Sequence, residues 1–187
     1  MAIVRLVRHG RASAGWNVDP DPGLDGLGEE QALRVAERLR SEDASGEAPE
    51  IWTSPLRRCQ ETSVPYSSAY GVAPLIVPAV AEIPSPDGVA MADRVDWLRQ
   101  AMDGCWRDLG DRYVAFRDDL VQAVRSVTRD PVIFSHFIAI NAVIGACTGD
   151  DRLVIRSLDN TSVTTVEVTD GTLVLIEGGS EADTLIR

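Results

Sequence analysis

The chain has 187 residues, 44% of them hydrophobic and 25% charged, which is the composition of one globular domain. Its formal charge of −11 argues against a general nucleic-acid partner, because such proteins neutralise phosphates with clustered cations. All 18 basic residues are arginine, so Schiff-base and P-loop lysine chemistry is excluded.

No apolar run approaches the roughly 20 residues that cross a bilayer, so no membrane partner is expected. The stretch from Ala2 to Val7 is too short and interrupted for a signal peptide and reads as a buried strand. Cys59, Cys105 and Cys147 are odd in number and lack metal-ligand pairing. They read as reduced core thiols of a cytoplasmic protein.

In chain order, four short apolar runs read as buried strands: Ile3–Val7, Glu50–Thr53, Pro74–Val77 and Val132–Ser135. A first helix follows Leu24-Asp25-Gly26, with Asp25 as its cap and Leu27, Leu33, Val35, Ala36 and Leu39 as its apolar residues. The polar stretch 41–48 reads as a surface loop, and Ser54-Pro55 as the opening of the next helix. Two amphipathic helices are expected, about Val89–Leu109 and Asp111–Arg129. The first would bury Met91, Val95, Leu98, Met102 and Cys105, and the second Phe116, Leu120, Val124 and Val127. A helix from about Phe137 to Cys147 follows the fourth strand, and 162–168 with 172–177 form a hairpin around Asp170-Gly171. Strands alternating with helices predict an α/β fold, a mostly parallel sheet with helices on both faces.

The chain has two histidines, and each stands just past an apolar strand. In open α/β sheets the carboxyl ends of strands are where ligands bind. Arg8 offers a planar, permanently charged fork for phosphate oxygens. Gly10 lets a ligand approach the backbone. The neutral imidazole of His9 is nucleophilic near pH 7 without a metal or a triad. The segment from Thr53 to Thr62 lies at another strand-to-helix junction, where helix amides and a first-turn arginine attract phosphate. Arg57 in that segment reads as solvated.

Arg8-His9-Gly10, Leu24-Asp25-x-x-Gly28-x-x-Gln31-Ala32, Ser54-Pro55-Leu56-x-Arg58 with Gln60 beyond it, Glu82, and Ser135-His136 occur in this order. Together they resemble the histidine phosphatase superfamily, which includes the phosphoglycerate mutases and many small phosphatases. The resemblance implies a phosphoglycerate mutase-like fold, a single domain over 1–187 with an inserted helical cap at about 84–129, and no metal or cofactor.

It also implies roles. His9 would attack phosphorus and become phosphohistidine, while Arg8, Arg58 and His136 hold the oxygens and stabilise developing charge. Glu82 would protonate the leaving oxygen and later activate water, with Asp87 as the competing carboxylate. The Phe137 backbone amide would add a donor at the helix start.

Departures from the family pattern bear on substrate binding. Family members commonly carry Glu or Gln after the glycine, where this chain has Arg11. Arg11 either favours anionic substrates or pairs with a neighbouring acid. Mutase-like sequences place a phosphate-binding Asn six residues after the nucleophile, and here Asn17 stands two residues further on. The second histidine is usually followed by Gly, but here by Phe137, which either fills a core pocket or narrows the site. Asn141 is either a polar site residue or the cap of a buried contact. Trp97 and Trp106 read as core, with a pocket lining as the other reading.

A mutase must exclude water, which takes a longer lid and a basic cluster. Residues 84–107 carry Arg94, Arg99 and Arg107 among many acids, which favours hydrolysis. The expected activity is a phosphomonoester phosphatase acting on a small phosphorylated metabolite. A phosphoglycerate mutase-type phosphoryl transferase and a protein-phosphohistidine phosphatase are the alternatives. Association into a homodimer is left open.

Overall fold

The first strand, β1 (Ala2–Arg8), lies inside a six-stranded sheet. In the computed structural model, which describes residues 1–15, 17–43 and 47–181, the other strands are β2 (Glu50–Thr53), β3 (Leu75–Ile76), β4 (Pro131–Ser135), β5 (Val163–Thr169) and β6 (Thr172–Glu177). The order across the sheet is β3-β2-β4-β1-β5-β6. Strands β1 to β4 run parallel, and β5 and β6 are added antiparallel. This is the mixed α/β architecture expected.

In register, Arg8 lies opposite Ser135, and Thr53 opposite Phe134. The carboxyl ends of β1, β2 and β4 therefore finish side by side. That alignment places the residues just beyond them, His9, Ser54 and His136, at one end of the sheet.

Helices cover both faces. On one face α1 (Gly26–Glu42) and α2 (Arg57–Tyr70) bury Val35, Ala36, Leu39, Cys59 and Tyr66 against Val7, Ile51, Val132 and Phe134. On the other, α3 (Arg94–Met102), α4 (Trp106–Leu109), α5 (Asp111–Arg125) and α6 (Phe137–Thr148) enclose the larger core with Val4, Leu6, Ile133 and Val166. Helix α6 is apolar all round and buried through Gly145, as a central helix must be. The segment expected as a cap carries α3, α4 and α5, and α5 packs along α6 within this core.

Several expectations need correction. Asp25 does cap α1, accepting from Gly28 N, but Leu27 and Leu33 are exposed, so the buried stripe is Ala32, Val35, Ala36 and Leu39. Helix α2 starts at Arg57, three residues after Ser54, because the Ser54 hydroxyl turns inward and accepts from Leu56 N. The third strand is a two-residue edge with Leu75 and Ile76 exposed, not a buried strand.

The helix expected over 89–109 is broken into a 3₁₀ turn at Met91–Asp93, α3 and α4. The break at Asp103-Gly104 is held by a neighbouring segment: Leu153 N donates to Gly104 O and Trp106 N to Asp151 O. Met91 is consequently exposed and Cys105 half-buried, while Trp106 is core and Trp97 packs against Tyr113. Helix α5 stops at Arg125, short of Arg129.

The hairpin forms as expected, with Asp170 and Gly171 both at positive φ. Within the stretch 41–48, Ser41 and Glu42 belong to α1, and 44–46 lie outside the described residues. No helix among the described residues is long and apolar enough to cross a membrane.

Candidate active site

His9 follows β1 directly, with its backbone N–H donating to Ser135 O at 3.0 Å. Its Nδ1 lies 2.7 Å from Gly10 O. A carbonyl only accepts, so Nδ1 carries the proton and Nε2 the lone pair. That lone pair receives Arg58 Nε–H at 3.1 Å. Burial, then the charges of Arg58 and Arg8, hold the His9 imidazole well below the ordinary histidine pKa. It is a neutral imidazole with its free electron pair facing an arginine.

Arg58 bridges the two histidines, its Nη2 lying 3.1 Å from His136 Nδ1, and their rings meet edge-on at 5.2 Å. His136 is completely buried and is also kept neutral by burial and by Arg58. Its Nε2 faces the Ser54 hydroxyl at 2.8 Å.

Arg8 is buried, with Nη1 donating to Leu158 O, and its guanidinium lies 5.0 Å over the Phe137 ring. Burial pushes its pKa down to about 10, which still leaves it charged at neutral pH. Among the described residues, Arg8 Nε finds no hydrogen-bond partner. An unused N–H on a buried cation is chemically suited to an anionic acceptor.

Glu82 is half-buried, and its Oε1 and Oε2 accept from the amides of Ile83 and Ile138. Burial raises the Glu82 carboxyl above the usual range despite those bonds and the nearby Arg58 and Arg8. The amide that reaches Glu82 from the α6 terminus is that of Ile138. Asp87 lies in an exposed turn, paired with Arg112 at 2.7 Å.

The structure therefore brings together His9, Arg8, Arg58, His136 and Glu82, with Phe137 beneath Arg8. The remaining candidates fall elsewhere. Arg11 is half-exposed and its Nε lies 2.6 Å from Asp25, the pairing alternative. Asn17 is exposed in a turn and, among the described residues, bonds to none of the five; Trp16 lies outside those residues. Arg57 is exposed and paired with Glu61. Asn141 is the cap of a buried contact: it donates to Phe137 O and Arg156 O and accepts from Ile155 N and Arg156 N. Among the described residues no group of three or more His, Cys, Asp or Glu is arranged to hold a metal ion.

Sequence reasoning missed the loop before β5. Thr161 N donates to Arg8 O, Arg8 N to Ser162 O, and Asn160 Nδ2 to His9 O at 3.0 Å. Thr161 takes φ 56°, a left-handed conformation that reverses the chain around Arg8. The Asp159-Asn160 pair was the available signal, since such residues favour turns. Thr62 was missed as well; its hydroxyl accepts from Gly10 N and donates to Arg58 O, tying the two motifs together.

The family model of the histidine phosphatase superfamily (branch 1) matches residues 4–178. The chain belongs to that superfamily. Among solved structures it is similar to Bacillus stearothermophilus YhfR, at 22% identity over 94% of this chain and 96% of that one, with a TM-score of 0.74. An Entamoeba histolytica phosphoserine phosphatase in complex with phosphoserine matches at 22% identity, 95% and 96% coverage and a TM-score of 0.71. A mycobacterial glucosyl-3-phosphoglycerate phosphatase matches at 21% identity, 94% and 97% coverage and a TM-score of 0.69. These likenesses show the fold. In sequence, 86 residues are 36% identical to the PE-PGRS family protein PE_PGRS11 of Mycobacterium tuberculosis. That match takes in 43% of this chain and only 14% of the relative's length.

Proposed function

We propose that the protein is a phosphomonoester phosphatase that works through phosphohistidine at His9 on a small phosphorylated metabolite. The observation that carries this reading is the neutral His9 imidazole, its Nε2 lone pair turned to Arg58 and flanked by the buried Arg8. A phosphate dianion entering there exchanges water for preorganised arginine donors, including the unused Arg8 Nε–H.

In the first step His9 Nε2 forms a bond to phosphorus as the ester P–O bond breaks. The leaving oxygen takes a proton from the Glu82 carboxyl, whose pKa burial raises. In the second step the Glu82 carboxylate takes a proton from water, whose oxygen attacks phosphorus. The P–N bond then breaks, and inorganic phosphate leaves. Arg8, Arg58 and His136 stabilise the equatorial oxygens in both steps. The named phosphatases of similar fold, for phosphoserine and glucosyl-3-phosphoglycerate, support a small organic phosphate as the substrate.

Acid-quench trapping with a labelled phosphate ester tests the mechanism. An acid-labile adduct on His9, absent in His9→Ala, is expected. Activity that survives His9→Ala and disappears with chelator overturns it. Interconversion of phosphoglycerate isomers without phosphate release identifies a mutase instead.

A further inference from the structure

His136 is held from both sides of its ring. Nδ1 lies 3.1 Å from Arg58 Nη2, and a guanidinium only donates, so Nδ1 carries the lone pair. A neutral imidazole has one proton, which is then on Nε2, pointing at Ser54 Oγ 2.8 Å away. Ser54 Oγ also accepts from Leu56 N at 3.1 Å. Ser54 is fully buried. Cys59 Sγ stands 3.3 Å from the same Nε2, but its S–H is directed at Ser135 O at 3.2 Å. The charged and titratable groups facing the ring are thus Arg58 and Cys59 from α2, with Arg8 at the end of β1 and His9 just after it.

This arrangement is wrong for holding a phosphoryl oxygen. Such an oxygen accepts hydrogen bonds, and the ring atom on the Arg58 side of His136 is a lone pair. We propose that Ser54 is a positioning residue whose hydroxyl switches from accepting to donating at His136 Nε2 when a phosphoryl group enters. The ligand draws the Arg58 N–H groups to itself and needs a further donor at Nδ1. If the Ser54 O–H rotates to Nε2, the single ring proton can reside on Nδ1. One proton leaves Nε2 to water, one is taken up at Nδ1, and the ring stays neutral. A neutral ring suits its burial and the two arginines beside it. Serine is suited to this because a hydroxyl both donates and accepts and rotates freely.

The inference rests on the phosphatase reading of the site, and the two fail in different ways. Because the chain has only two histidines, ¹⁵N-histidine NMR of the full-length protein gives two ring systems, assigned with His9→Gln. Without ligand, His136 is expected as the Nε2–H tautomer. With saturating inorganic phosphate or orthovanadate it is expected as the Nδ1–H tautomer.

Ser54→Ala should abolish this change and weaken phosphate binding by about 10–100-fold, the loss expected for one hydrogen bond to a charged group. Ser54→Thr, which keeps the hydroxyl, should restore both, and Cys59→Ala should leave the tautomer change intact. The proposal is overturned by an Nδ1–H ring without ligand, an unchanged Nε2–H ring or an imidazolium with phosphate bound, or dependence on Cys59 in place of Ser54. Each of those can occur while p-nitrophenyl phosphate is still hydrolysed. A wild-type protein that neither turns over that ester nor binds phosphate overturns the phosphatase reading and the switch with it.

Discussion

Glu82 and Asp87 are five positions apart in one loop, yet only Glu82 is drawn under the influence of Arg8 and Arg58. Glu82→Gln keeps the shape but cannot deliver a proton. Phosphorylation of His9 by alkyl phosphates should slow by about 10²–10⁴-fold while phosphorylation by p-nitrophenyl phosphate is little affected, and hydrolysis of the phosphoenzyme should slow for both. Asp87→Asn should change neither rate, as steady-state kinetics on the two ester types will show. The two histidines make a second prediction. Their folded pKa values are depressed, so their stabilising contribution is present above the unfolded value near 6.5 and is lost as pH falls below it. Each should cost about 1.4 kcal/mol per pH unit through that window, measurable by urea unfolding at pH 7.5 and 5.5. Saturating phosphate should reduce the loss. His9, His136 and Arg8 were legible as candidates because their side chains have few other reasons to stand at the ends of buried strands, and Arg58 because it lies in the first turn of the helix after β2. Asn160 and Thr62 were not, because they reach the site through backbone hydrogen bonds that only the folded chain creates.

Among the elements, α1 approaches the His9 loop more closely than any side chain permits. A Cβ on Gly28 would lie 2.2 Å from Arg11 O, and one on Gly10 would lie 2.6 Å from Gly28 O. Gly28→Ala should therefore push the first turn of α1 away from the loop. An overpacking cost of about 1–3 kcal/mol should appear in denaturant melts, with weakened phosphate binding. Helix α6 pins the opposite side through Asn141. Asn141→Ala leaves the Ile155 and Arg156 amides without their acceptor. It should cost on the order of 1–3 kcal/mol by the same melts, since each orphaned part-buried amide carries a share of the desolvation penalty. Helix faces were readable from apolar spacing where burial is one-sided. The broken helix at 94–109 was not, because its break is fixed by hydrogen bonds from residues 151 and 153, distant in the chain.

For the molecule as a whole, the two ends of the sheet have different work. At the end remote from the histidines, Asp43 joins Arg5 at 2.6 Å, Tyr66 at 2.6 Å and Tyr70 at 2.5 Å. Burial opposes its charge, but the two hydroxyls and Arg5 hold the Asp43 carboxyl below the usual range. Asp43→Asn should lower stability by about 1–3 kcal/mol, seen as a Tm several degrees lower, with kcat unchanged. The strand order carries a further consequence. Strand β1 is flanked by β4 and β5, and the turn that grips Arg8 is at 158–162. Strand β1 therefore has neither sheet neighbour until the chain beyond residue 131 exists. At typical elongation rates it waits on the order of 10 s for its neighbours. Capacity to bind phosphate should thus appear on the ribosome late and abruptly, which makes a bound anion a reporter of completed folding.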